Sequence, residues 1–175
     1  MSLAIFYGSS NGMTEDVAQK IAAELEKLDI DVPLMDVFQV KLADMQAYDK
    51  LLIGCPTWYI GELQDDWDEH FGELDDIDFS GKQVALFGTG DQIGYSDTFQ
   101  DALGIIGKKC REQGAEIVGW WPTDGYTFDE SVGVENGLFF GLALDDDNQP
   151  ELTDERVKTW VAQLIREFKL DLVAG

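Results

Sequence analysis

Basic residues are scarce in this sequence. Twelve lysines and arginines stand against 35 aspartates and glutamates, so the 175-residue chain carries a formal net charge of −23. Such a surface repels the phosphates of nucleic acids and the head groups of anionic membranes, and it attracts basic proteins. The composition therefore argues against a nucleic-acid or membrane partner. A role in solubility or in adaptation to salt would explain the charge as well as a basic protein partner does.

Cysteine, histidine and long apolar runs are also rare. Cys55 and Cys110 lie far apart and outside any metal-binding spacing, which is typical of buried thiols in a cytoplasmic protein. The single histidine, His70, has no serine or cysteine partner in a recognisable arrangement, and we interpret it as a surface residue. No apolar run approaches the roughly 20 residues needed to cross a bilayer. No basic segment precedes the short N-terminal apolar run, which argues against a signal peptide. We expect a cytoplasmic monomer without a metal site.

Short apolar runs alternate with amphipathic stretches along the chain. Helices are predicted over residues 14–28, 99–114 and 153–168, the last capped by "TDER". Strands are predicted at "SLAIFYG", "DVPLMDV", "DKLLIGCP", "KQVALFGTG" and "EIVGWWP", the third of them ending at Pro56. This alternation predicts an α/β fold, a doubly wound five-stranded parallel sheet with helices on both faces.

One segment breaks the alternation. The loop-like stretch "TDGYTFDESVGVENG" separates "EIVGWWP" from another apolar run, "LFFGLAL". Two strand-like runs with no helix between them predict that an insertion, over residues 122–137, interrupts the last strand. The length of the chain suits one domain, which we expect to span residues 1–175.

The first loop, "GSSNGMTED" (residues 8–16), directly follows the first strand. Ligands of doubly wound folds bind beyond the carboxyl ends of the strands, where a helix starting near Thr14 offers unpaired N–H groups. Ser9, Ser10 and Asn11 add side-chain donors. The glycine spacing, and Met13 where a lysine would be needed, argue against a nucleoside triphosphate. The loop therefore predicts a site for one phosphate group bound by neutral donors, with a helix start without ligand as the alternative.

Two further loops place aromatic residues on the same rim. The second loop, "PTWYIGELQDDW" (residues 56–67), carries Trp58 and Tyr59, and the third, "GTGDQIGYSDTF" (residues 88–99), carries Tyr95. A flat aromatic ligand held between these loops would explain the aromatic residues, although packing on the core would do so too. The third loop lacks the glycine spacing of a dinucleotide fingerprint and follows the fourth strand, not the first. Together the three loops predict a mononucleotide with a planar ring.

These motifs resemble those of the long-chain flavodoxins. "GSSNGMTE" resembles the hydroxyl-rich phosphate loop of that family, and "PTWYIGELQDDW" and "GTGDQIGYSDTFQDALG" resemble its two flavin loops. "WWPTDGYTF", "GLALDDDNQ" and "LTDERVKTWVAQL" resemble the C-terminal third, with the interrupted strand as the long-chain insertion. The resemblance covers nearly the whole chain. It implies noncovalently bound FMN and the transfer of electrons without a substrate chemistry of the protein's own.

The resemblance also implies a set of cofactor-binding residues. Trp58 is expected against the inner face of the flavin and Tyr95 on its outer face. Two residues depart from the family pattern. Asn11 stands where threonine is usual, and the bulky Tyr59 stands where a peptide flips on reduction to accept a hydrogen bond from flavin N5. The set comprises Ser9, Ser10, Asn11, Gly12, Met13 and Thr14 around the phosphate, Thr57, Trp58, Tyr59, Gly61, Thr89, Gly90, Asp91 and Gln92 near the ribityl chain and the ring, Tyr95, and Asp97 as a second-rank contact.

Residues 62–78, here called the acidic segment, contain nine carboxylates and no lysine or arginine. A carboxylate about 10 Å from the ring destabilises an anionic reduced flavin by on the order of 1 kcal/mol, or roughly 40 mV. The segment therefore predicts a low potential for the second reduction, and the expected N5 hydrogen bond favours a blue neutral semiquinone. The carboxylates are Glu62, Asp65, Asp66, Asp68, Glu69, Glu73, Asp75, Asp76 and Asp78.

The acidic segment also predicts a docking face for basic redox proteins, with a merely solvated helix face as the alternative. The expected partners are a flavodoxin or ferredoxin reductase that supplies electrons and the enzymes that accept them. An NAD(P)H-dependent FMN reductase is the main alternative function, but Tyr95 stacked on the flavin would block the nicotinamide. A ligand-free interaction domain also remains. A phosphorylated receiver domain would need acidic residues where this chain has Ser9 and Cys55.

Overall fold

A computed structural model describes residues 2–9, 12–58 and 60–170. The four α-helices in this part of the chain are α1 (Met13–Glu26), α2 (Asp65–His70), α3 (Asp101–Glu112) and α4 (Thr153–Glu167). The strands are β1 (Leu3–Tyr7), β2 (Leu34–Asp36), β3 (Lys50–Trp58), β4 (Glu62–Leu63), β5 (Gln83–Thr89), β6 (Glu116–Val118), β7 (Trp121–Pro122), β8 (Val134–Glu135), β9 (Leu138–Phe139) and β10 (Gly141–Leu144).

The main sheet is parallel and runs in the order β2, β1, β3, β5, and then a fifth position filled by two strands. The short strand β6 pairs with the first half of β5, where Gln83 lies opposite Glu116. Strand β10 pairs with the second half, where Leu86 lies opposite Gly141. The doubly wound parallel sheet with five strand positions and an interrupted last strand is thus confirmed.

Alternate residues of each central strand face opposite layers, as in a sheet that is covered on both sides. Ile5 packs with Ile21 of α1 and Trp160 of α4 in one buried cluster. On the other face, Phe6 packs with Trp67 of α2 and Ile106 of α3. The prediction of helices on both faces is therefore confirmed.

The two cysteines lie in the second of these clusters, and both are fully buried free thiols. Burial raises the pKa of Cys55 and of Cys110. The sequence-based interpretation of these residues as ordinary buried thiols is confirmed. Within the described ranges, no helix is both long enough and apolar enough to cross a membrane.

The prediction of "EIVGWWP" as one strand is wrong. The chain leaves the main sheet at Gly119, whose φ of +77° suits glycine. There the Gly119 carbonyl accepts a hydrogen bond from Trp160 Nε1, and the Gly119 N–H donates one to Glu167. Beyond this turn, β7 joins β8 and β9 in a separate antiparallel sheet. The main-sheet strand is consequently interrupted over residues 119–140, a wider range than 122–137.

Two predicted element ends also differ from the structure. Strand β3 continues past Pro56 to Trp58, because Thr57 and Trp58 pair with the returning strand β4. Helix α4 has no side-chain cap, since the Thr153 hydroxyl donates instead to Asp146 in the preceding loop. A distant acceptor therefore competes with the local capping that the "TDER" pattern suggests.

Candidate functional site

The carboxyl ends of the parallel strands meet at one edge of the sheet, where the three loops enclose a cleft of about 220 Å³. Residues from all three loops line it, so the sequence-based prediction that they share one rim is confirmed. A fourth loop, residues 145–148 after β10, contributes one more residue. The lining residues are Met13, Pro56, Thr57, Trp58, Thr89, Gly90, Asp91, Tyr95 and Asp147.

The first loop delivers the start of α1 to this edge. Gly12 has a φ of +85°, and its N–H donates to Ser9 Oγ at 3.1 Å. Because Gly12 precedes the helix and has no side chain, it supplies no cap to the first N–H groups of α1. N–H groups at a helix start are suited to binding an anion. Ser10 and Asn11 lie outside the described residues, so their predicted contacts stay predictions.

Thr14 lies deeper than a surface donor would. It is fully buried, and its hydroxyl oxygen lies 3.3 Å from that of Thr89. This contact joins the start of α1 to the end of β5, so that the first and third loops are connected by a buried contact. The neighbouring Tyr7 hydroxyl donates to Glu15 at 3.4 Å. Burial and the charges of Glu15 and Asp36 raise the pKa of Tyr7 to about 12.

The second loop is a tight return between β3 and β4. Thr57 Oγ1 accepts a hydrogen bond from the N–H of Ala102 at 3.0 Å, which fixes the end of β3 against α3. Gly61 turns the chain with a φ of +72°, and a Cβ there would lie 2.6 Å from Asp101 Oδ2. Trp58 is half-buried at the wall of the cleft. Tyr59, which was predicted to carry the redox-linked peptide, lies outside the described residues.

The third loop is shaped by Asp91. One carboxylate oxygen of Asp91 accepts hydrogen bonds from the N–H groups of Ile93 and Gly94 at 3.0 and 2.7 Å. Although partial burial opposes ionisation, the N–H of Gly94, the amide of Asn148 and the N–H of Ile93 lower the pKa of Asp91. This turn presents Tyr95, which remains 47% exposed at the cleft.

Two other predicted residues of the third loop do not line the cleft. Gln92 is buried, where its side-chain amide donates to Asp145 at 2.8 Å and its carbonyl accepts from the N–H of Thr127 at 2.6 Å. Asp97 lies in a neighbouring groove beside Ile60. The predictions for Gln92 and Asp97 concern contacts with a bound cofactor and remain predictions.

The fourth loop is a functional element that sequence reasoning did not assign to the site. Asp145 is fully buried and accepts hydrogen bonds from Gln92, while the Asn148 amide donates to Asp91 at 2.8 Å. Asp147 reaches the cleft, and its pKa is raised by partial burial and by the charges of Asp91, Asp145 and Asp146. The loop follows the last apolar run, so the rule that ligands bind beyond strand ends could have located it.

The arrangement suits an elongated ligand with an anionic end and a flat aromatic end. The described lining residues include no lysine or arginine, so an anion would be bound by the N–H groups at the start of α1. At the other end, Trp58 and Tyr95 offer aromatic surfaces on opposite loops. Within the described ranges, no group of three or more histidine, cysteine or acidic side chains is arranged to hold a metal ion.

Comparisons with known proteins agree with this geometry. A family model described as Flavodoxin matches residues 5–160. The chain is 55% identical over 168 residues to a flavodoxin of Nostoc sp., which covers 96% of this chain and 98% of that protein. It is 51% identical over 168 residues to Flavodoxin 1 of Escherichia coli, with 95% and 94% covered.

A solved structure gives the same result. The flavodoxin of Fusobacterium nucleatum, determined bound to flavin mononucleotide, matches with a TM-score of 0.90 at 32% identity. The match covers 95% of this chain and 99% of that one. Because the family model spans most of the sequence and relatives above 50% identity span nearly all of it, the chain belongs to the flavodoxin family.

Proposed function

We propose that this chain is a low-potential, one-electron carrier that works with noncovalently bound FMN. The observation that carries the proposal is the cleft itself, which brings the start of α1 together with the aromatic side chains of Trp58 and Tyr95. Membership of the flavodoxin family and the FMN-bound structure of a relative support it. FMN, when bound, supplies the redox chemistry, and the protein sets its affinity and potential.

The phosphate end of FMN would lie at the first loop. There the N–H groups at the start of α1 and the Ser9 hydroxyl are the neutral donors of the described residues. Ser10, Asn11, Gly12 and Met13 complete the proposed phosphate contacts. Because the described lining residues include no lysine or arginine, the affinity for the phosphate depends on how accurately the backbone donors are held.

The ring would lie between Trp58 and Tyr95. The N–H groups and carbonyls of the second and third loops, Thr57, Tyr59, Gly61 and residues 89–92, would contact its polar edge. Stacking on aromatic surfaces excludes water from both faces of the ring. Negative charge added to the ring is then poorly solvated, which lowers the potential of the second reduction.

The acidic segment is the proposed docking face for basic redox proteins. Eight of its nine carboxylates are exposed, the exception being the partly buried Asp66. Described basic groups pair with only two of them, Lys109 with Asp75 at 2.7 Å and His70 with Glu73. The segment therefore keeps a strong negative potential beside the cleft, which attracts a reductase such as flavodoxin or ferredoxin reductase and the acceptor enzymes. We propose that the chain acts as a single domain and a monomer, in the cytoplasm.

The absorption spectrum of the purified protein tests this function. The proposal predicts a yellow protein, or a colourless one that becomes yellow with one equivalent of FMN. It also predicts that NADPH or NADH alone does not reduce the bound flavin at a catalytic rate. Steady oxidation of NAD(P)H would favour the reductase alternative, and a protein that takes up no FMN would leave only a ligand-free interaction domain.

A further inference from the structure

Trp67 links the acidic segment to the first loop. It is the fully buried residue of α2, whose neighbours Asp65 and Asp68 point to solvent. Its indole Nε1 donates a hydrogen bond of 2.9 Å to the carbonyl of Gly54 in β3. The same carbonyl accepts the N–H of Gly8 at 3.1 Å. One carbonyl therefore joins the end of β1, the middle of β3 and the helix of the acidic segment.

The packing at Gly8 is equally close. A Cβ at this position would lie 2.4 Å from Gln64 Oε1 and 2.6 Å from Trp67 Cδ1, so only glycine fits without a shift. Gln64 is itself fully buried, and its Oε1 accepts the N–H of Trp67 at 3.3 Å. Gly8 is the first residue after β1 and the first residue of the loop proposed to bind phosphate. The position of Gly8 is thus fixed by the side chains of Gln64 and Trp67, which do not line the cleft.

We propose that Trp67 is a positioning residue for the phosphate end of the cleft. By holding Gly8 and the Gly54 carbonyl, it sets where the first loop leaves the sheet. It would thereby orient the first N–H groups of α1 toward the phosphate. This inference rests on the proposed binding of FMN. It assigns to the acidic segment a second role, in cofactor affinity, that its charges do not provide.

A comparison of two flavins separates this role from general stability. FMN and riboflavin share the ring and the ribityl chain, and only FMN carries the phosphate. A residue that positions the phosphate loop affects the binding of FMN and leaves the binding of riboflavin unchanged. A residue that merely stabilises the fold changes both affinities together or neither.

The experiment is a titration of the flavin-free full chain with each flavin, for the wild type and for W67F. The phenyl ring keeps most of the buried volume and removes the indole N–H. The dissociation constant for FMN should rise about three- to tenfold, as for the loss of one hydrogen bond, while that for riboflavin stays within about twofold. The matched control is W160F, since Trp160 is also fully buried and donates from Nε1 to a glycine carbonyl at 2.9 Å. This control should change neither constant by more than about twofold.

A second variant, G8A, changes the other side of the contact between Gly8 and Trp67 and leaves Trp67 itself unchanged. Its added methyl would overlap Trp67 and Gln64, so FMN binding should weaken by about tenfold or more with riboflavin binding retained. Urea unfolding of each variant establishes that it is folded. Equal weakening of FMN and riboflavin binding, or unchanged FMN binding in W67F and G8A, would overturn the positioning role. A wild type that binds FMN no better than riboflavin would overturn the proposed phosphate site as well.

Discussion

Replacement of Asp145 by asparagine should destabilise the protein by about 3 kcal/mol or more. Asp145 Oδ2 accepts hydrogen bonds from the main-chain N–H and the side-chain amide of Gln92 at 3.0 and 2.8 Å, and from the Asn148 amide at 2.9 Å. Its Oδ1 accepts the N–H groups of Asp147 and Asn148 at 3.1 and 3.0 Å. The carboxylate is fully buried, so water cannot replace any of these bonds.

The magnitude follows from the geometry. Whichever oxygen becomes the asparagine NH₂ group then faces at least two N–H donors. Each hydrogen bond to a buried charged group contributes about 1.5–3 kcal/mol, so the loss of two amounts to about 3 kcal/mol or more. With a urea m-value near 3 kcal/mol/M, the unfolding midpoint should fall by about 1 M.

The assay is urea unfolding of D145N followed by far-ultraviolet circular dichroism. The matched control is D154N, because the Asp154 side chain is 84% exposed and pairs with Lys20 at 2.9 Å. That variant should stay within about 0.5 kcal/mol of the wild type. If D145N also unfolds within about 1 kcal/mol of the wild type, the buried carboxylate does not organise the third and fourth loops as described.

Three further outcomes are expected. Y95A should raise the dissociation constant for FMN about tenfold, since one stacked aromatic wall is lost, and an unchanged constant in a fluorescence titration would show that Tyr95 does not stack. D65N/D68N should raise the potential of the second reduction by roughly tens of millivolts at low salt and by much less at about 1 M salt. A salt-independent shift in a potentiometric titration would contradict the electrostatic origin. Burial, as the main cause, raises the pKa of Tyr7 and of Tyr126 to about 12, so the folded state binds these protons more tightly than the unfolded chain. The free energy of unfolding should therefore fall as pH rises from about 10 to about 12, and Y7F should reduce that slope, whereas a flat profile would refute the assignment.

The alternation of short apolar runs with amphipathic stretches predicted most of the fold, because buried parallel strands and amphipathic helices have strong local sequence patterns. The split of "EIVGWWP" could not be predicted in this way. Val118 and Trp121 are both buried, but they belong to different sheets. The difference arises from pairing of Trp121 with Phe139, 18 positions further along the chain. The local hydrophobic pattern of a segment does not identify a pairing partner so far along the chain.

The candidate site shows the same division. The rule that ligands bind beyond the carboxyl ends of the strands located three loops. The aromatic residues Trp58 and Tyr95 indeed lie in one cleft. The fourth loop acts through hydrogen bonds that reach from Asp145 to Gln92 and from Asn148 to Asp91, across more than 50 residues. Likewise, nothing local in the acidic segment marks Trp67 as the residue that contacts the first loop. Such long-range polar contacts are set by the folded sheet, so the sequence alone did not reveal them.

An anaerobic potentiometric titration, followed by visible absorption, tests the central claim most directly. A one-electron carrier should pass through two separate steps, with a half-reduced, blue-coloured form accumulating between them and the second step at low potential. Reduction in a single two-electron step, with no such form at any potential, would contradict one-electron transfer by this protein.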